Sequence, residues 1–506
     1  MEEESNDSIV SPENVAFTSD ENHETEILIP TNRLNRSYYI REPSGSHPIA
    51  VFAFVVFPAF FGIAFYFFSR PATERMASHS SSTEAVHDLT TPTVLISIDG
   101  FRLEYFSRKE NGEYLAPTLR SIAKEGVYAP DGMQPVMPSK TWPNHWTLVT
   151  GLFPESHGIV GNTMYDPKAQ RWFHHDVDHP SWWKGEPIWQ TLMRSAKPSS
   201  VNESVEEAQN YTTGCVFWPG SSVVKHRPNV FWKYDESVPY TRRVNRAIEL
   251  LTGGASDLGR KADFVTVYFE GVDHAGHMHG PNSREVNKEI KSVDDSLKAL
   301  LDKLENAGLQ HNLVVVSDHG MTEVSNEKRV DLSHVIEEGA VQDILQTPMG
   351  LWLNLNVTAE QLHEQLQRFS QNNKNIQTYL KQSIPEHWHL KNNRLVTSVV
   401  TMTAIGWSAV YPHQVLVPGS ENPLRMITST RNHVAPPKVA IYGDHGYDHN
   451  ENDMQAIFLA KGPAFKAGGT VKGMRSVDVY GLLCRTHSVN PAPNNGSQAI
   501  LTQILA

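Results

Sequence analysis

The chain has 506 residues, too many for one small module and enough for a large catalytic domain. Its formal charge of −12 is concentrated at one end: residues 1–28 hold nine acidic side chains and no Lys or Arg, which leaves 47 acidic against 44 basic residues elsewhere, so no basic face for nucleic acid is expected. Two cysteines, Cys215 and Cys484, are too few for thiolate-bound zinc; each lies in an apolar stretch where a buried free thiol is at least as good a reading as a disulfide between them.

Residues 1–48 are polar and acidic, then carry Arg33, Arg36 and Arg41; they read as a disordered tail. Ile49–Phe68 is a stretch of twenty residues without a charge, long enough to span a bilayer as a helix, with Pro58 tolerated at mid-span. It starts too far from the amino terminus, and is too long, for the core of a cleaved signal peptide. Arginines before it, against Arg70 and Arg75 after it, favour a cytoplasmic tail and a signal-anchor of type II topology. Residues 69–90, rich in Ser, Thr and His, read as a stalk, and the globular domain as residues 91–506. Sequons at Asn202, Asn210, Asn356 and Asn495 fit a lumenal or extracellular domain bearing glycan.

Within that domain Val94–Ile98, Phe264–Phe269 and Leu313–Ser317 are short apolar, β-branched runs that read as buried parallel strands. Helices are expected over Ala116–Glu125, over Pro143–Thr150 (proline first, Gly151 after) and over Ser283–Asn306, which is long and amphipathic. Thr141 would then lie just before a helix amino terminus, where backbone N–H groups and the helix dipole favour an anion such as phosphate. Roughly residues 340–440, with a strand-like Met349–Leu355 and a helix-like Thr358–Phe369, read as an inserted cap.

All three predicted strands deliver Asp or His at their carboxyl ends, the edge where open α/β sheets place ligands. Asp99 follows the first, Asp273 and His277 the second, and Asp318 and His319 the third. Asp273 and His277, four apart, share a face if the segment is helical. With His445 from Gly443-Asp-His-Gly-Tyr-Asp448, these are three carboxylates and three imidazoles, a set that suits two zinc ions. Thr141 is left as the hydroxyl one metal could activate, and paired metals with an activated oxygen are the usual equipment of in-line phosphoryl transfer.

Lys140-Thr-Trp-Pro-Asn-His145, Thr150-Gly-Leu-Phe-Pro-Glu-Ser-His-Gly-Ile-Val-Gly-Asn162, Lys184-Gly-Glu-Pro-Ile-Trp189, Phe217-Trp-Pro-Gly220 and Gln455-Ala-Ile-Phe-Leu-Ala-Lys-Gly-Pro463 closely resemble the nucleotide pyrophosphatase/phosphodiesterase family of the alkaline phosphatase superfamily. The match runs over essentially all of residues 91–506, and the plan of tail, single span and catalytic domain looks most like fungal members. The resemblance implies an α/β fold with a central, mostly parallel sheet flanked by helices. It implies one zinc held by Asp99, Asp318 and His319 with Thr141, and another held by Asp273, His277 and His445. Asn162 looks like the family's donor to a phosphate oxygen. Trp142, Trp218 and Tyr234 fall where the family places aromatic or apolar nucleotide contacts, and Lys184 near that pocket. Trp142 departs from the more usual Phe. His449, where Asn is common, is a decoy for His445, which aligns with the family's Gly-Asp-His-Gly.

The implied activity is hydrolysis of nucleoside triphosphates, sugar nucleotides or dinucleotides to nucleoside 5′-monophosphates through a nucleotidyl-threonine. The alternatives are a phosphomonoesterase, a phospholipid-head phosphodiesterase, or a catalytically silent surface binding protein on the same fold. A silent member would be expected to have lost some of the six metal-ligand candidates or Thr141. The expected location is a membrane of the secretory pathway, the vacuole or the cell surface.

Overall fold

A computed structural model describes residues 91–173, 177–197, 210–336, 341–344, 349–411 and 441–506. The tail, the apolar stretch Ile49–Phe68 and the stalk lie outside these residues; among the described ones no helix is long and apolar enough to cross a membrane.

The domain is built on an eight-stranded sheet. Its strands are β1 (Thr93–Ile98), β2 (Val127–Tyr128), β3 (Thr213–Val216), β4 (Val230–Trp232), β5 (Phe264–Phe269), β6 (Asn312–Val316), β7 (Phe458–Lys461) and β8 (Gly469–Thr470). They lie in the order β8-β2-β7-β6-β1-β5-β3-β4. From β6 to β4 every pairing is parallel; β7 runs antiparallel to both of its neighbours. The sheet is therefore mostly parallel, as the apolar runs predict.

Both faces are covered, which explains why the strands carry apolar residues almost without alternation. Val94, Ile96 and Ile98 pack into one core with Leu313 and Val315, whereas Leu95 faces the other core with Val314 and Val316. Helix α1 (Pro117–Glu125) contributes Leu119 and Ile122 to the first core. The long α4 (Arg284–Asn306) adds Leu297, Leu300 and Leu304 on one stripe, each worth about 2 kcal/mol of buried apolar surface. Ser283 caps α4, its side chain accepting a hydrogen bond from Val286 N–H. Cys215 and Cys484 are both buried free thiols, and burial pushes each pKa up to about 12.

The inserted segment has a sheet of its own, Val341–Ile344, Met349–Leu355, Val399–Thr403 and Ile376–Leu380 in that spatial order. Helix Ala359–Asn372, opened by a full capping box at Thr358, packs Leu362 and Leu366 into a separate small core with Val330 and Val399. The main chain leaves the catalytic edge through Thr322–Ser325 and returns through Ile441–Asp444, and these two strands pair antiparallel, Thr322 opposite Asp444. That pairing brings His445 back beside Asp318 and His319.

Candidate active site

Three adjacent parallel strands, β6, β1 and β5, end at one edge and turn directly into ligand-bearing segments. Asp99 follows β1, with its N–H bonded to Phe269 O at 2.9 Å. Its neighbour Gly100 has φ 61°, and a Cβ there would stand 2.7 Å from Asp273 Oδ1, so both conformation and space demand glycine. After β5 the chain enters α3 (Gly271–His279), which places Asp273 and His277 one turn apart with 3.3 Å between Oδ2 and Nε2. Gly443 lets α3 lie against the returning strand, since a Cβ there would come within 2.5 Å of Gly276 O.

Thr141 opens α2 (Thr141–Thr150). The helix thus begins two residues earlier than the proline suggests. Pro143 still costs nothing there, because N–H groups in the first turn have no partner within the helix.

Asp99, Asp318 and His319 form one cluster of potential metal ligands, all buried. His319 Nε2 is 3.0 Å from Asp318 Oδ2, 3.5 Å from Asp99 Oδ1 and 3.4 Å from Thr141 Oγ1. Asp273, His277 and His445 also converge, His445 Nε2 lying 3.1 Å from His277 Nε2 and 3.7 Å from Asp273 Oδ1. The potential ligand clusters around His445 are Asp273 with His319 and His277 with Asp444; we take Asp273, His277 and His445 as the second group. The two groups share a wall, because the rings of His319 and His445 stack at 3.6 Å. Asp444 is also within reach of His277 and His445. Its Oδ1, however, already accepts Lys140 Nζ at 3.1 Å and His445 N–H at 2.7 Å, so Asp273 is the better carboxylate for the second group.

The residues fit metal ions on two independent grounds. Asp99 Oδ1, Asp273 Oδ1 and Asp318 Oδ2 are buried with no hydrogen-bond donor, an arrangement that is costly unless a cation faces them. Each of the three histidines donates from Nδ1 to a backbone carbonyl: His277 to Gly443 O (2.9 Å), His445 to Ser139 O (2.8 Å) and His319 to Gly320 O (2.9 Å). In the neutral ring this fixes the tautomer that leaves Nε2 with its lone pair, and all three Nε2 atoms point into the site. Electrostatics agree. Burial and the neighbouring carboxylates Asp318 and Asp273 push the Asp99 pKa well above the ordinary range. Burial also works against Asp318, yet His319 and His145 outweigh it and hold that carboxyl low. His277, despite burial, is pulled up to about 9 by Asp273, so a metal entering the second group displaces a proton.

The remaining expected contacts are arranged less uniformly. Asn162 is half-buried, and its Oδ1 accepts Trp142 N–H at 3.0 Å, which leaves its Nδ2 to donate. Tyr234 is 44% exposed, its ring 6.1 Å from that of Tyr268. Trp142 is half-buried and packs edge-on against Phe173 and Trp183. Trp218 is only 2% exposed and meets His145 edge-on, so it backs the site from within the core. Lys184 is exposed and tied to the fold through its backbone: its O accepts Trp146 Nε1 and its N–H donates to His157 O. His449 is not a member of either ligand group.

Three further residues support the site. Tyr268, on β5, donates its hydroxyl to Asp99 Oδ2. His145, one helical turn after Thr141, bonds Thr141 O through Nδ1 (2.9 Å), with Asp318 Oδ2 3.3 Å away, and Ser97 Oγ through Nε2 (2.9 Å). Lys140 pairs with Asp444, as above. Only His145 carried a readable signal, its i, i+4 spacing from Thr141.

Residues 93–461 match the family model for type I phosphodiesterase / nucleotide pyrophosphatase. A Xenopus laevis bis(5′-adenosyl)-triphosphatase enpp4 is 30% identical over 423 residues, 82% of each chain. Mouse ectonucleotide pyrophosphatase/phosphodiesterase family member 1 is 32% identical over 428 residues, 82% of this chain but 42% of its own length. Among solved structures, murine ectonucleotide pyrophosphatase/phosphodiesterase 5 superposes with a TM-score of 0.67 at 31% identity, covering 82% of this chain and all of that one. An inactive threonine-to-alanine variant of the same murine protein, in complex with AMP, superposes with a TM-score of 0.68 at 30% identity, over 82% of this chain and 100% of that one. Fold and site alike define a hydrolase whose ligand-bearing strand ends can hold metal. The chain belongs to the nucleotide pyrophosphatase/phosphodiesterase family of the alkaline phosphatase superfamily.

Proposed function

We propose that the protein is a two-zinc phosphodiesterase that cleaves nucleoside triphosphates and related nucleotide diesters to nucleoside 5′-monophosphates, with Thr141 as nucleophile. The observation that carries this reading is the position of Thr141 Oγ1: at the amino terminus of α2 and 3.4 Å from His319 Nε2, a ring that itself lies 3.0 Å from Asp318 Oδ2 and 3.5 Å from Asp99 Oδ1. Asp99, Asp318 and His319 would hold one zinc, and Asp273, His277 and His445 the other. Bound zinc supplies a lowered pKa for a coordinated hydroxyl or water and positive charge against phosphate oxygens.

The chain's own residues do the rest. Thr141 Oγ gives up its proton to solvent and attacks the α-phosphorus in line, forming the Oγ–P bond as the bond to pyrophosphate breaks on the opposite side. The phosphorus remains on Thr141 as a nucleotidyl ester. Water then cleaves the Oγ–P bond, releasing the monophosphate and restoring the hydroxyl. Asn162 Nδ2, held by the bond that Oδ1 accepts from Trp142 N–H, donates to an equatorial oxygen, and the dipole at the amino terminus of α2 favours the same charge. The murine relative's inactive threonine variant and its AMP complex support the choice of both residue type and ligand. The intact ligand set weighs against a silent binding protein. The full-length chain, given ATP, nitrophenyl phosphate and nitrophenyl-thymidine phosphate in parallel, should release pyrophosphate and act on the diester. Release of orthophosphate with preference for the monoester would assign it to the phosphomonoesterases instead.

Tyr234 is the aromatic face most open to a base. Stacking is tolerant, because every base has a π-face. Tyr234→Ala should therefore lower kcat/KM for ATP, GTP, CTP and UTP by similar factors, each about 1–3 kcal/mol, and affect a bis-nitrophenyl diester much less. A loss confined to one nucleotide, or an equal loss for the diester, would remove Tyr234 from base binding.

Ile49–Phe68 anchors the chain, with residues 1–48 cytoplasmic, residues 69–90 a stalk, and the catalytic domain lumenal or extracellular. Asn210, Asn356 and Asn495 are all exposed, as glycan acceptors must be. Mass spectrometry of the native protein should find glycan only among these and Asn202, never at the sequons of Asn6 and Asn35. Glycan at either of the latter would invert the orientation.

A further inference from the structure

His449 lies four residues beyond His445, and its ring belongs to a different group. Its nearest titratable neighbours are Asp448 and His387, whose potential ligand atoms all fall within 4.8 Å of one another. His387 sits in the short turn Glu386–Trp388, within the connection between strands Ile376–Leu380 and Val399–Thr403 of the inserted sheet. Asp448 and His449 sit in the loop that carries His445. The cluster thus joins two segments that are about sixty residues apart, and its two histidines, with His389, Asn450 and Arg475, line an open cavity of about 400 Å³.

Each member is oriented as a ligand would be. Asp448 Oδ1 accepts Asn450 N–H at 2.9 Å, and Oδ2 accepts Trp388 Nε1–H at 2.8 Å. The second bond leaves Oδ2 one lone pair, 3.8 Å from His387 Nε2. One ring nitrogen of His449 faces the carbonyl of Pro135, which leaves the other nitrogen for a ligand role. Burial pushes the His449 pKa down to about 4, which keeps the ring neutral at pH 7. The rings of His387 and His449 are 5.6 Å apart and tilted, with no stacking to hold them in place. Ligand atoms around a four-coordinate zinc are about 3.3 Å apart, from bonds of about 2.0 Å. The His387–Asp448 distance is thus half an ångström or so from that spacing. His387, its side chain 55% exposed, has room to close it.

We propose that His387, Asp448 and His449 form a separate metal site, taking a zinc-class divalent ion with water in the fourth position. Two imidazoles and one carboxylate suit zinc, nickel or copper and not the oxygen-seeking calcium or magnesium. None of the three residues belongs to either ligand group of the active site. The ion would clasp the connection within the inserted sheet to the loop that presents His445, a structural role.

The test uses the full-length chain in detergent, equilibrated with excess zinc chloride, desalted, and analysed for zinc per chain. Wild type should hold one zinc more than His387→Ala and one more than His449→Asn. Each variant should keep its kcat/KM for nitrophenyl-thymidine phosphate within about twofold. Zinc should raise the unfolding temperature of wild type further than that of either variant, and calcium or magnesium should not replace it. His387→Ala removes an exposed side chain, so its result stands even if His449→Asn folds poorly. Equal zinc content in wild type and His387→Ala overturns the proposal. So does loss of zinc together with loss of turnover in that variant, because the cluster would then be part of the catalytic centre.

Discussion

Thr141→Ala is expected to lower kcat for nucleotide triphosphates by about 10⁴-fold or more, while zinc content and the unfolding transition stay close to wild type. The size follows from the role: a covalent nucleophile acts as a unit with the groups that activate it, so removing it forfeits the whole route. The fold should tolerate the change. Thr141 is half-buried at the first position of α2, the cap position before it belongs to Lys140, and alanine is the best helix former. Burst kinetics with nitrophenyl-thymidine phosphate give a second reading, since wild type should accumulate a nucleotidyl-enzyme and the variant none. A variant within tenfold of wild type would transfer the nucleophile's role to water and leave Thr141 a bystander.

Removal of the metal should be comparably severe. Treatment with a strong chelator is expected to reduce turnover by at least about 10³-fold, and added zinc should restore it. Once stripped of metal, the site brings three mutually repelling carboxylates together at one edge of the sheet, and burial with the neighbouring Asp318 and Asp273 raises the Asp99 pKa. The second group has a proton to shed as well, because Asp273 keeps His277 charged up to about pH 9. Reloading should therefore become weaker as the pH falls, as protons compete for His277 and Asp99. Reactivation as a function of free zinc at pH 6 and pH 8 measures this. Equal affinity at both would show that these groups do not titrate against the metal. A single substitution should reproduce the defect: Asp318→Ala removes a carboxylate whose Oδ2 has no protein hydrogen-bond donor.

The parts of the site that could be read from the sequence are those whose spacing follows from local geometry. Asp99, Asp273 and Asp318 were legible because a buried parallel strand is a near-continuous apolar run, and its carboxyl end is where the polar residue stands out. Asp273 and His277 were legible because a helical turn joins them. Other contacts arise only when distant segments meet. Nothing near Tyr268 in sequence says that its hydroxyl reaches Asp99, 169 residues earlier, or that Lys140 finds Asp444. Aromatic residues show the same limit. Trp218 and Tyr234 look alike as candidate platforms, yet one is sealed in the core and the other stands open, because burial is a property of the neighbours and not of the side chain. His445 and His449 were separable by motif. What His449 faces instead became visible only once the Glu386–Trp388 turn was in place.

The antiparallel pairing of Thr322–Ser325 with Ile441–Asp444 also sets an order of events during biogenesis. A ribosome that has released residue 319 has already delivered Asp99, Thr141, Asp318 and His319, the whole of one ligand group. The other group must wait for the entire insertion to emerge before His445 arrives. Long-range pairings of this kind form late, after the loop-closure entropy has been overcome. The nascent domain therefore passes through a stage with one ligand group complete and the other open, and the last ligand to dock is the one carried by the returning strand.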